Sequence, residues 1–286
     1  MSGLNWHFVL SALLTIIGHT GSQGPGVQTP NDCSRERRGS LPQFHLTCDL
    51  RTINSEFDAT DFSVIPSAGT VSLSIRCDEN IPHESKLLNR SLSHLTQLED
   101  LSITYCKLGK LPADTFYGLE SLRNLTIRTY SDPSAEFSLS FPAGALSELV
   151  RMTHLDLGTN HLWTLPEREL CHVPSLTHLN ISNNRIQDTR DLGISQQDCS
   201  LSVGSLDLSH NQLKSINRGA LENAKHLRVL YLQNNKISQV HDGALRGLAN
   251  LRTLDLSGNS IVALPASLYK ASFIEYFNLN KICNNL

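Results

Sequence analysis

The chain has 286 residues, enough for one or two domains with a sizeable core, and its 40% apolar content is that of an ordinary globular protein. Its 24 Lys+Arg against 27 Asp+Glu give a formal net charge of −3 with no long run of one sign, so it lacks the basic stripe of a nucleic-acid binder. The densest basic cluster, Arg35-Glu36-Arg37-Arg38, is broken by an acid and reads as a solvated loop.

Residues 1–22 read as a signal peptide. Phe8 to Ile17 is a ten-residue apolar run followed by Gly18-His19-Thr20-Gly21-Ser22, with cleavage expected near Gly21 to Gln23. As a helix the run spans about 15 Å, half the roughly 30 Å of a bilayer core, and no other stretch is apolar enough to cross a membrane. Seven cysteines follow, Cys33, Cys48, Cys77, Cys106, Cys171, Cys199 and Cys283, and none forms the close pair typical of a zinc site. In an oxidising compartment they read as disulfides plus one odd thiol.

A repeat governs the rest. Its pattern is L-x-x-L-x-L-x-x-N-x-L, clearest in MTHLDLGTNHL (152–162), LTHLNISNNRI (176–186), VGSLDLSHNQL (203–213), LRVLYLQNNKI (227–237) and LRTLDLSGNSI (251–261). LEDLSITYCKL (98–108) carries Cys106 at the Asn position, LRNLTIRTYSD (122–132) starts well and departs, and a degenerate copy begins near Thr70. The spacing of 24 residues recurs, with two longer units of 30 and 27. Each second half adds apolar residues at matching offsets: Leu111, Phe116 and Leu119; Leu165, Leu170 and Val173; Val240, Leu245 and Leu248. The expected fold is therefore an α/β leucine-rich-repeat solenoid, with a parallel β-sheet lining the concave face and a core buried by stacking. The expected organisation is a disulfide-bonded N-terminal cap with a degenerate first repeat (23–76), repeats of about 24 residues (77–265), and an incomplete last repeat or aberrant tail (266–286).

Asn160, Asn184, Asn211, Asn235 and Asn259 are expected to be structural, because a buried amide carries both the donor and the acceptor that the turn after each strand needs. Cys33 is paired with Cys48 across a short loop, and Cys77 with Cys106 because they fall at nearly equivalent positions on successive coils. Cys171 and Cys199, also on adjacent coils, are paired on the side away from the strands. A free buried thiol is the alternative for each, and Cys283 has no partner left.

Three sequons, Asn89-Arg90-Ser91, Asn124-Leu125-Thr126 and Asn180-Ile181-Ser182, are candidate glycan sites. Asn124 and Asn180 fall on the concave strands, where sugars would direct partners toward the cap and edges. The outward strip carries Tyr105, Arg123, Arg128, His154, His178 and Tyr231 as candidate partner contacts, since Tyr and Arg favour protein interfaces. His154 and His178 occupy equivalent positions, but with no third ligand in sight a metal site is not expected. Asp207, Ser209 and His210 do not assemble a catalytic triad, and there is no phosphate-binding glycine loop, so neither enzyme activity nor a cofactor is expected.

The cap sharpens the reading. LTCDLRTINSEFDATDFSVIP (46–66), VSLSIRC (71–77), LEDLSITYCKLGKLP (98–112), GLESLRNLTIRT (118–129) and ELCHVPSLTHLNISNNRIQD (169–188) resemble the extracellular amino-terminal region of arthropod Toll receptors, the long type in particular. The resemblance covers about Cys33 to Pro265, and its four front cysteines match Cys33, Cys48, Cys77 and Cys106, the later pair Cys171 and Cys199. It implies a plasma-membrane receptor of innate immunity and development whose ectodomain enters the secretory pathway, binds Spätzle-like cystine-knot cytokines and pairs with a second receptor. The absence of a membrane helix and a signalling domain from this chain favours a truncated ectodomain. A stand-alone secreted matrix or adhesion repeat protein is the alternative.

Overall fold

The computed structural model describes residues 26–28, 33–37, 43–129, 137–193, 201–269 and 273–281. The expected signal peptide (1–22), Cys199 and Cys283 lie outside the described residues.

One sheet organises the chain. It opens with β2 (Ser34–Arg37) and β3 (Phe44–Leu50), the only antiparallel pair in this sheet among the described residues. From β3 onward the neighbours are parallel: β5 (Thr70–Cys77), β6 (Asp100–Thr104), β7 (Asn124–Arg128), β8 (His154–Asp156), β9 (His178–Asn180), β10 (Ser205–Asp207), β12 (Val229–Tyr231), β14 (Thr253–Asp255) and β15 (Tyr276–Asn278). Two small parallel pairs flank it: β1 (Gly26–Gln28) with β4 (Asp58–Thr60), and β11 (Ser215–Ile216) with β13 (Gln239–Val240). The return side is built of turns, short 3-10 segments and one four-residue helix, α1 (Ala266–Tyr269).

Each strand follows from alternation within the repeat. The fourth and sixth positions point inward and stack as two apolar columns, Leu101, Leu125, Leu155, Leu179, Leu206, Leu230, Leu254 and Ile103, Ile127, Leu157, Ile181, Leu208, Leu232, Leu256, all buried. The register is unbroken: Leu125 faces Leu155, and Leu179 faces Leu206, although the units leading into β8 and β10 are longer than the rest. The return side closes the core with Leu111, Phe116 and Leu119, and with Leu165, Leu170 and Val173. The coil of Val240 differs: Ala244 is buried while Leu245 is only half-buried, beside a cleft bordered by Leu268 and Phe273. There the next return segment covers it incompletely. In the tail, Tyr276–Asn278 extends the sheet in register with Thr253–Asp255.

Two disulfides tie the front coils: Cys33 to Cys48, and Cys77 to Cys106 with Cα atoms 4.8 Å apart. Cys171 is disulfide-bonded as well, and its expected partner, Cys199, is outside the described residues.

Candidate partner-binding face

The asparagines hold the turns behind this face. Asn184 Oδ1 accepts from the N–H groups of Asn160 (3.1 Å) and Leu162 (2.9 Å) on the preceding coil. Its amide donates back to Leu157 O (2.8 Å) and to Ile181 O (3.0 Å) on its own coil. Asn211, Asn235 and Asn259 repeat this, each joining two coils through one acceptor and at least two donor bonds. Asn160 accepts from Thr129 N and donates to Ile127 O. The bonds therefore run between coils as much as within a turn, which a single repeat does not reveal.

Two further regularities escaped the sequence reading. The eighth position of the unit is left-handed: Tyr105, Thr159, Asn183, His210, Asn234 and Gly258 have φ between 55° and 65°. This orientation lets the N–H reach a carbonyl of the following coil, as in Asn183 to Ser209 O (3.0 Å). Asn and Gly there were the available signal, since both tolerate the conformation. The fifth position is a turn former: Asp156, Asn180, Asp207 and Asp255 each accept from the N–H two residues on, at 2.8–2.9 Å. Ser209 thus serves Asp207 through its backbone, while His210 turns to Asn234 (3.2 Å).

The structure divides the candidate contacts into two groups. Arg123 is ion-paired with Glu99 (3.7 Å), and Arg128 donates twice from Nε to the Asp156 carboxylate at 3.1 Å. The Asp156 hydrogen bond, followed by its charge, raises the Arg128 pKa against the opposing effect of burial. Tyr105 lies under the Arg76 guanidinium at 5.0 Å. These three are engaged by neighbours on the same face.

His154 and His178 form a second feature. Their rings stack face to face, 4.2 Å between centroids and 5° from parallel. Thr153 donates to Arg123 O and Thr177 to Thr153 O, and each hydroxyl oxygen also lies 2.9 Å from the Nδ1 of the adjoining histidine. Burial, then the neighbouring His178, lower the His154 pKa, with Asp100 opposing. Among the described residues no group of three His, Cys, Asp or Glu is arranged to hold a metal ion.

Beside His178 the face opens into a cleft of about 490 Å³, because Gly204 contributes no side chain where its neighbours carry Thr177 and Arg228. His226 and Arg228 form its far wall, and no carboxylate lines it among the described residues. Arg123 and Arg252, at the position equivalent to Arg228, each face a glutamate, the latter Glu275 at 3.5 Å. Arg228 has no ion pair among the described residues. It is not among the contacts expected from the sequence, where nothing local sets it apart from the other arginines of the face.

The sequons divide likewise. Asn124 donates its amide to Asp100, and Asn180 to Asp156 (3.2 Å), so both are half-buried in cross-strand pairs. Asn89 is exposed on the return side.

The stacked parallel sheet, the inter-coil asparagines and the polar inner face define a leucine-rich-repeat protein. The leucine-rich-repeat family profile matches residues 138–186 and 202–261. Within that class the chain is a homologue of a Toll-like receptor. It is 34% identical over 215 residues to Toll-like receptor 7 of Drosophila melanogaster, a match that covers 70% of this chain and 14% of that protein. The chain therefore spans a small part of its relative. Among solved structures, a chain of the mouse RP105/MD-1 complex superposes with a TM-score of 0.64 at 19% identity, over 82% of this chain and 41% of that one. A leucine-rich-repeat protein of Leptospira interrogans gives 0.61 at 21%, over 77% and 53%. At those identities the likeness is one of fold. No helix among the described residues is long and apolar enough to cross a membrane.

Proposed function

We propose that this chain is an extracellular recognition module of a Toll-type receptor of innate immunity and development, whose concave face takes a secreted protein ligand of the Spätzle-like cystine-knot class. The observation that carries the reading is the 34% identity to a Toll-like receptor over 215 residues. The front disulfides support an oxidising, extracellular setting. The contacts are drawn from Tyr105, Arg123, Arg128, His154, His178 and Tyr231, to which the unpaired Arg228 is added. Among these, His154, His178, Tyr231 and Arg228 carry most of the affinity, because Arg123 and Arg128 must first give up carboxylate partners.

Cys171 pairs with Cys199, and Asn89, Asn124 and Asn180 carry glycans; the Asn124 and Asn180 amides each keep one N–H for a sugar beside the one given to aspartate. Ligand binding promotes pairing with a second receptor chain. The test is binding of the secreted chain to a Spätzle-like cytokine from the same source, with the intact receptor as positive control. Saturable binding weakened by Arg228→Gln supports the reading. Binding to the intact receptor but not to this chain overturns it.

A further inference from the structure

The return side of the cap carries an open cleft of mixed polar and apolar lining. It is bordered by the segment from Thr60 to Ser67 and by the turn from Leu88 to His94, and encloses about 730 Å³. That lies within the roughly 300–1,000 Å³ of pockets that enclose small organic molecules. Val64 and Leu88 line it while remaining 45% and 53% exposed, and Tyr117 is exposed on the neighbouring coil. Large apolar side chains are exposed elsewhere too, at Phe57, Val150, Trp163 and Val262, but Val64 and Leu88 border one cleft together, and grouped apolar exposure on a secreted protein calls for a cover.

Asn89 lines the same cleft. Its carbonyl oxygen accepts from the backbone N–H of Asp114 (3.4 Å), which leaves the amide nitrogen turned outward, and that nitrogen has no partner among the described residues. Arg90, the middle residue of the sequon, also lines the cleft, and its side chain is held there: its Nε meets Asp114 at 3.0 Å and its guanidinium lies over the Tyr117 ring at 4.1 Å. The Ser91 hydroxyl borders the cleft and is buried with no hydrogen-bond partner.

We propose that an N-linked glycan on Asn89 folds back into this cleft, laying the apolar faces of its first sugars on Val64 and Leu88 and closing the flank to protein partners. The bond formed joins the Asn89 Nδ2 to the reducing-end sugar carbon, with loss of the lipid pyrophosphate leaving group of the donor used for all sequons in the secretory pathway. A pyranose suits the site because its ring faces present C–H groups while its edges present hydroxyls, matching leucine and valine walls beside Ser91, Ser93 and His94. The proposal rests on the secretory reading and on Asn89 as a glycan site. It adds what the glycan covers.

The experiment uses the full chain secreted from insect cells. Peptide mass spectrometry first reads occupancy at Asn89. The folded protein is then treated with peptide N-glycosidase, which removes the glycan after folding, and is compared with untreated protein by hydrogen exchange and by the fluorescence of an apolar dye. Expected are an occupied Asn89, faster exchange confined to residues 60–67 and 88–94 after deglycosylation, and a severalfold rise in dye fluorescence. The double substitution Val64→Ser with Leu88→Ser should abolish that rise. An unmodified Asn89 overturns the proposal at the glycan itself. An occupied Asn89 whose removal changes neither exchange nor dye binding overturns the covering while leaving the secretory reading intact.

Discussion

Between Cys33 and Cys106 neighbouring coils are joined by two covalent bonds, whereas between Asn160 and Asn259 the same job falls to buried side-chain amides. The exchange is visible at one position of the unit. Cys106 stands where Asn184 stands three coils later, and it has no amide with which to satisfy the turn. Its coil is instead pinned to Cys77, while its neighbour Tyr105 still takes the left-handed conformation and donates to Arg128 O (2.8 Å). The front thus trades hydrogen bonds for a cross-link. An end coil has a neighbour on one side only, so it gains less from stacking and depends more on the cross-link. The middle, stacked on both sides, is held by polar bonds that are strong because they are dry.

The comparison breaks most directly at Asn184. Asn184→Ala would strand the N–H groups of Asn160 and Leu162 and two or more carbonyls inside the core. We expect a loss of about 3–4 kcal/mol in chemical denaturation, from unpaired buried groups at about 1–3 kcal/mol each. An unchanged midpoint would remove the asparagines from the account. The corresponding change at the front is Cys77→Ser with Cys106→Ser. It opens a loop with a sequence separation of 29 and should cost about 3 kcal/mol. Limited proteolysis should then begin in the cap, with the repeats after Met152 still protected.

Glu169 sharpens the contrast. Fully buried, its carboxylate accepts the N–H groups of Gly144 (2.7 Å) and Leu146 (2.6 Å), so that a charge does on the return side what asparagine does behind the strands. Glu169→Gln places an NH2 group against one of those donors and should cost about 2 kcal/mol. Glu169→Asp, which keeps both acceptors on a shorter arm, should cost less; equal losses would argue for packing rather than hydrogen bonding.

The smallest effect concerns His154. Its pKa in the folded protein is lowered, first by burial and then by His178. The unfolded chain therefore takes up the proton first as the pH falls below about 6.5, and stability declines until the pH is under the folded value. NMR titration should find His154 below the ordinary imidazole range, and His178→Ala should move it upward. No upward movement would mean that the stacked pair is not electrically coupled.

Much of the scaffold was legible in the sequence. The inward leucines, the strand phase and the expected Cys77–Cys106 pair follow from a period that repeats often enough to be read by eye, while Cys33 and Cys48 were expected to pair from their closeness in the chain. The candidate surface was legible only as a roster. Arg123, Arg128 and Arg228 look alike in sequence, yet two are tied to carboxylates one coil away and the third opens onto a cleft. Leu245 was expected in the core by its offset and is half-buried, because burial there depends on how well the next coil closes. Glu169 gave no signal, since a buried carboxylate is chosen by two amides 23 and 25 residues away.

The amino-acid sequence by itself determined which side chains face inward along the repeats and where their strands lie, because both depend on position within one unit and on stacking units in register. The tertiary structure alone decided which outward groups are free for a partner. Side chains on successive coils lie about 4.8 Å apart, so each one's availability is set by the residue beside it on the next coil. That neighbour is 23 to 30 residues away in the chain, and whether the two meet depends on charge, rotamer and a missing side chain such as that of Gly204.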